Sequence, residues 1–203
     1  MNFLAHVYLA DVDDAFLVGN LMGDFVRGRP DPGLPAAIRA GIRLHRRVDR
    51  FTDEHPATRA ACRRLPRYRR RVAGVIVDLA YDHFLARDWA HFSSEPLAAF
   101  SARVYRTLEA HYDYLPTRLA RLLPAMRDGD WLTAYARLEN TAHALDRMAY
   151  RLRRPELLRG TLPELRAAYP HLDSDFHAFF PQLIRYVQAR GHGAPINQGP
   201  SQQ

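Results

Sequence analysis

The residues of this chain best equipped for chemistry fall on helix faces where core residues belong. At about 100° per residue, Ile38, Ile42, His45, Asp49 and Thr52 share one side of the stretch Leu34 to Phe51. Arg43, Arg46, Arg47 and Arg50 take the other side. His45 and Asp49 therefore lie one turn apart on the apolar side. Burying charge is costly unless it is paired or bound to a metal, so the two read either as an internal ion pair or as part of a metal site. The segment VAGVIVDLAYDHFLARDW repeats the pattern: apolar residues surround the axis between Val72 and Leu85, yet it carries Asp78, Asp82 and His83. Asp78 and Asp82 are one turn apart, and His83 is rotated about 100° from Asp82. A third stripe holds Phe16, Leu17, Asn20, Leu21 and Asp24, with Gly19 and Gly23 leaving room for a neighbouring backbone. His6 sits within FLAHVYLA.

Each of these residues has a plain structural reading when taken alone. A single histidine on an apolar face serves more often as a hydrogen-bonded core residue than as a ligand, and Asp24 could pair with Arg27 or cap a helix. Four helices that each turn His or Asp inward are harder to explain that way. Imidazole and carboxylate together suit Mn²⁺, Mg²⁺, Fe or Zn²⁺, and the number of oxygens leans toward the harder ions. The residues alone point to a metal-dependent hydrolase in an all-α fold. Arg27 and Arg29, and Arg46 with Arg47, are close enough in sequence to these candidates to hold a substrate phosphate.

The elements that must position them follow from apolar spacings of three and four, with few alternating runs. Helices are expected over Phe3 to Ala10, Asp14 to Val26, Leu34 to Phe51, Ala57 to Arg63, Arg67 to Phe92, Pro96 to Tyr112, Arg118 to Met126, Trp131 to Arg151 and Leu162 to Ala189. Pro170 should break or kink the last, and Pro181 could do the same. No internal repeat is visible. A single domain is expected over residues 1–190. Residues 191–203, rich in Gly, Pro, Asn and Gln, are expected to form a frayed tail.

The chain has 203 residues, 47% of them hydrophobic, which suits one globular domain with a full core. The single cysteine, Cys62, excludes an internal disulfide framework and a Cys-based zinc site. Arg63 and Arg64 beside it could lower its pKa, but a structural thiol is the simpler reading. With no signal-peptide pattern and no apolar run near the roughly 20 residues of a membrane span, the expectation is a cytoplasmic protein with no membrane association. The formal net charge is +7, and arginine supplies all 29 cations, since no lysine occurs. Guanidinium forks bind phosphate and carboxylate bidentately, so an anionic partner or substrate is expected. Six arginines fall within Ala61 to Arg71. That run is either a solvated basic face or a docking patch. No nucleic-acid motif surrounds it, and no nucleic-acid partner is expected.

Four segments in order then carry a resemblance: MNFLAHVYLA at the start, GNLMGDFVRG at 19–28, GIRLHRRVDRFTDEHP at 41–56 and DLAYDHFLARDW at 78–89. Together they resemble the acyl carrier protein phosphodiesterase family over roughly the first 90 residues. The resemblance implies a compact, HD-domain-like helical bundle. It also implies an enzyme that hydrolyses the 4'-phosphopantetheine arm from a serine of holo acyl carrier protein, with a divalent metal, Mn²⁺ preferred. Carried over by motif, the metal ligands are Asp24, His45, Asp49, Asp82 and His83. His6 and Asp78 follow as catalytic or supporting residues, and Arg27 and Arg46 would neutralise phosphoryl oxygens. His6 or His83 would be the acid for the serine leaving group. Asp precedes His at 82 and 83, unlike the plain HD pattern. An acidic carrier protein would suit the arginine-rich chain. The competing readings are an HD-type hydrolase of a nucleotide such as guanosine polyphosphate, and a non-enzymatic binder using the Ala61 to Arg71 run.

Overall fold

The structure, a computed structural model, describes residues 1–190, and the expected tail at 191–203 lies outside them. The described residues form ten α-helices joined by turns and short 3₁₀ segments, and no strand occurs among them. The all-α expectation holds. The helices are α1 (Phe3–Leu9), α2 (Asp14–Met22), α3 (Ala36–Glu54), α4 (Pro56–Arg64), α5 (Ala73–Arg87), α6 (Leu97–Ala110), α7 (Thr117–Asp128), α8 (Trp131–Ala134), α9 (Leu138–Ala149) and α10 (Leu162–Gln188). No helix among the described residues is long and apolar enough to cross a membrane.

The helix α5 is central, as its all-round apolar sequence requires. Every residue from Leu79 to Ala86 is buried, and the helix contacts α1, α4, α9 and α10. Across it lies α10, whose Phe176 and Phe179 pack on Tyr81, while Phe180 meets Tyr8 of α1. The closest helix pair is α2 with α3. Gly19 and Gly41 make it possible: a Cβ on Gly19 would collide with the carbonyl of Ile38, and one on Gly41 with the carbonyl of Phe16. That contact fixes the rotation of α3 and so points His45 and Asp49 back toward α1 and α2.

Two expected helices are divided. Arg67 to Phe92 resolves into a 3₁₀ turn at Arg67–Arg69, α5, and a second turn at Trp89–His91. Trp131 to Arg151 splits into α8 and α9. Conversely, α10 continues through Pro170 and Pro181. Pro170 is exposed and Pro181 half-buried, so the carbonyls they leave without a donor can turn to water, the circumstance in which a long helix bends rather than stops.

The arginine run is not a uniform basic face. Arg69 is buried, and its guanidinium donates to the carbonyls of Leu157, Arg159 and Gly160 and to the Glu164 carboxylate. It ties the loop before α10 to the turn before α5. Arg64 is bound to Asp175, while Arg67, Arg70 and Arg71 are exposed.

Candidate metal centre

The site is built by α1, α2, α3 and the 3₁₀ turn Gly23–Phe25 that extends α2. Asp49 is its hub. One carboxylate oxygen lies 3.1 Å from His6 Nε2 and the other 3.1 Å from His45 Nε2. Asp24 reaches the same His45 nitrogen at 3.4 Å. The two imidazoles stack, with ring centroids 3.9 Å apart and 19° between planes. His45 is pressed against the backbone at Gly23, where any Cβ would fall into its ring. Both histidines are buried, but the carboxylates of Asp24 and Asp49 are 45% and 39% exposed, so the cluster opens on its acidic side.

The tautomer of His6 is set from behind. Its Nδ1 lies 3.0 Å from the buried Asn20 Oδ1, an acceptor, so Nδ1 carries the proton and the neutral ring turns the Nε2 lone pair to Asp49. A lone pair facing a carboxylate oxygen at 3.1 Å calls for a proton or a cation between them. The donor set also fits a metal. His6, His45 and Asp49 each offer a ligand atom, and these atoms lie within 4.8 Å of one another. His6 further donates its remote N–H, the usual arrangement for a metal-bound histidine.

Electrostatics describe the same cluster without a metal. Burial opposes a charged His45, but its hydrogen bonds to Asp24 and Asp49 outweigh that and push its pKa up to about 9. Burial, then the neighbouring His45 charge, lower the pKa of His6. Two stacked imidazoles do not share a second positive charge. Burial would raise Asp49, but its bond to the charged His45 prevails and holds it well below the usual carboxylate range.

The other sequence candidates lie elsewhere. Asp82 is fully buried and caps α1: it accepts from the backbone N–H of Leu4 at 2.7 Å and of Asn2 and Ala5 at 3.3 Å. Helix α1 has no side-chain cap of its own, so α5 supplies it, and both Asp82 oxygens are used. His83 points the other way along α5. Its Nδ1 donates to the Tyr135 carbonyl at 2.8 Å and its Nε2 accepts from the Tyr169 hydroxyl at 2.9 Å. Neither joins the cluster of His6, His45 and Asp49, and their roles as ligands, with that of His83 as the acid, stay what the resemblance implies. Asp78 lies between the two groups: it pairs at 2.9 Å with the α-amino group of Met1, itself 3.7 Å from Asp49. Arg46 holds the Val26 carbonyl at 2.8 Å and so braces the turn carrying Asp24, while Arg27 is exposed. Cys62 is half-buried, and burial pushes its thiol up to about 11, against the weaker effect of Arg63.

Two features were not anticipated. Asp88, Asp173 and His177 form a second group with metal-like spacing, but Arg87 already bonds both carboxylates. The second is a cavity of about 480 Å³ beside the cluster, lined by Met1 and Asp24 on one side and by residues of α5, Asp78 among them, and of α7, α8 and α9 on the others. No segment quoted for the resemblance covers α7 to α9. The one-turn spacing of Arg147 and Arg151 was the available signal.

The family model described as acyl carrier protein phosphodiesterase matches residues 1–183. The chain belongs to this family. The match takes in α7 to α9 and hence the far walls of the cavity. Among curated members, the "Acyl carrier protein phosphodiesterase" of Photorhabdus laumondii is 38% identical, over 93% of this chain and 96% of its own length. Those of Pectobacterium atrosepticum and Escherichia coli O127:H6 are 37% and 36% identical, each over 94% of this chain and 99% of its own length. No solved structure gives a significant match. As a phosphodiesterase-family chain, this one carries all of its described histidine–carboxylate cluster within the matched residues.

Proposed function

We propose that this protein is a metal-dependent phosphodiesterase that hydrolyses the bond between 4'-phosphopantetheine and a serine of holo acyl carrier protein, releasing the apo carrier. The observation that carries the reading is the convergence of His6 Nε2 and His45 Nε2 on the two oxygens of Asp49, with Asp24 alongside, in a chain of the acyl carrier protein phosphodiesterase family. Asp24, His45, Asp49 and His6 would hold the ion. Two imidazoles with two carboxylates suit Mn²⁺, with Mg²⁺ or Fe²⁺ as substitutes.

A divalent ion bound there supplies Lewis acidity at the phosphoryl group and lowers the pKa of water. The protein's own part is preorganisation. Asn20 keeps the His6 proton on Nδ1, so Nε2 stays available as a lone pair. Asp49 holds both rings parallel, and Gly23 lets His45 lie flat against the turn. Arg46 fixes that turn through the Val26 carbonyl and so sets where Asp24 stands. The exposed acidic side is the side from which a phosphodiester can approach. The excess of arginine over acid would draw in an acidic carrier, so encounter should slow as salt rises.

The test is hydrolysis in H₂¹⁸O with Mn²⁺. The carrier should lose the phosphopantetheine mass, and one ¹⁸O should appear in the phosphate of the released 4'-phosphopantetheine. Label in the serine, a dehydroalanine on the carrier, or an untouched carrier would overturn the proposal.

A further inference from the structure

The phosphodiester proposed above has two unlike limbs. One is a folded protein and must stay outside. The other is a slender arm of gem-dimethyl, two amides and a thiol, and on cleavage it leaves with the phosphate. A site that hydrolyses such a bond therefore needs one narrow recess beside the reacting phosphorus, apolar enough to receive methyl and methylene groups.

The cavity beside the cluster has that form. Asp24 belongs to both, so the recess begins where the ligand set ends. Its walls carry Phe25 beside Asp24 and, on the far side, Leu122, Trp131 and Met148, and its volume of about 480 Å³ lies within the range of small-molecule sites. Two of its arginines are spread over aromatic faces: Arg118 lies 5.7 Å from the ring centre of Phe25, and Arg147 lies 5.4 Å from that of Trp131. These guanidiniums are flat walls that can still donate to amide carbonyls. Arg118 and Arg151 also line a shallow depression adjoining the cavity, which adds positive charge beside it.

We infer that this cavity is the subsite for the pantetheine arm, with Trp131, Arg147 and the apolar wall of α7 and α9 as its specificity-determining residues. The inference rests on the proposed phosphodiesterase reading and adds to it where the leaving group lies. It assigns a role to the C-terminal half, whose sequence shows no ligand pattern.

Two substitutions fill the cavity from two different helices: Val75→Phe on α5 and Ala144→Phe on α9, both lining it and neither in the cluster. Each is assayed with holo acyl carrier protein and Mn²⁺, with circular dichroism as the check on folding. In parallel, free pantetheine is titrated into the metal-free wild-type protein while Trp131 fluorescence is followed, with Trp131→Phe separating it from the buried Trp89. The expected result is a fall of about 10–100-fold in kcat/KM for the folded variants. Pantetheine should produce a saturable change in wild-type fluorescence that Trp131→Phe loses. Wild-type cleavage with unchanged kcat/KM in a folded Phe variant overturns the subsite alone. So does the absence of any pantetheine response, even if neither variant folds. Failure of the wild-type protein to cleave the carrier overturns the phosphodiesterase reading, and the inference with it.

Discussion

Replacing Asp82 by Asn separates the sequence expectation of a metal ligand from the structural finding of a helix cap. The carboxylate is fully buried. One oxygen takes the Leu4 N–H, and the other takes those of Asn2 and Ala5. These are first-turn donors of α1, which has no side-chain cap from its own sequence. Asparagine keeps one acceptor oxygen and offers an NH₂ in place of the other, so one or two donors face another donor. At about 1–3 kcal/mol for each buried group left unsatisfied, the loss comes to about 2–4 kcal/mol. Burial pushes the Asp82 pKa up to about 7, against the backbone N–H of Leu4 and the Met1 amine. At pH 8 the buried carboxylate is ionised at a cost to folding that the neutral amide does not carry, so the net loss at that pH is smaller, about 1–2 kcal/mol. With a urea m-value of about 2 kcal/mol per M, the unfolding midpoint should fall by about 0.5–1 M. Because α1 still presents His6 once folded, Mn²⁺ affinity by calorimetry should stay within about threefold. An unchanged midpoint with lost Mn²⁺ binding would show that Asp82 is a ligand and would refute the cap.

Three further outcomes are expected. Arg69→Ala should cost about 3–4 kcal/mol in urea unfolding, since it leaves three carbonyls without their donor and Glu164 with only the Tyr68 hydroxyl, whereas Arg67→Ala and Arg70→Ala should stay within about 0.5 kcal/mol; equal effects would contradict the buried tie. Asn20→Leu should weaken Mn²⁺ binding by about 10–100-fold by freeing the His6 tautomer, and calorimetry showing no change would remove Asn20 from the account. In chelated protein, the folded His45 pKa of about 9 lies above the unfolded value of about 6.5. Its stabilisation is therefore complete below pH 6.5 and disappears as pH rises through 9. The shift corresponds to an upper figure of about 3 kcal/mol, reduced to about 1–2 kcal/mol because both partner carboxylates are more than a third exposed. Urea midpoints of the chelated protein should fall between pH 6.5 and 8, and those of His45→Gln should fall less; above pH 8 both should fall as the paired Met1 amine titrates.

Much of this arrangement was legible from periodicity. The side of α3 that carries His45 and Asp49 is fixed by Ile38 and Ile42 one and two turns away, and the centrality of α5 follows from its continuous apolar circumference. Asp82 and His83 were legible only in part, because spacing identifies a polar residue on a buried face without saying what meets it. Asp82 meets the uncapped start of α1, about 80 residues earlier in the chain, and His83 meets Tyr135 and Tyr169. Those partners depend on how helices pack. Within α1 to α3 the inward residues were visible because the two glycines force a single close approach. The walls of the cavity were not, because Trp131, Arg147 and Leu122 sit in ordinary amphipathic helices and acquire a role only where those helices meet α5 and the Asp24 turn. At Pro170, where a break or a kink was expected, the helix is unbroken and carries on into its aromatic contact with α5.

The most direct test of the central claim is intact-protein mass spectrometry of holo acyl carrier protein incubated with wild-type protein and with Asp49→Asn, each with Mn²⁺ and with a chelator. Loss of the phosphopantetheine mass in the wild-type reaction with Mn²⁺ alone is the expected result, with Asp49→Asn folded and inactive. Cleavage by Asp49→Asn at the wild-type rate, or by wild-type protein in the presence of the chelator, would contradict a metal-dependent site centred on Asp49.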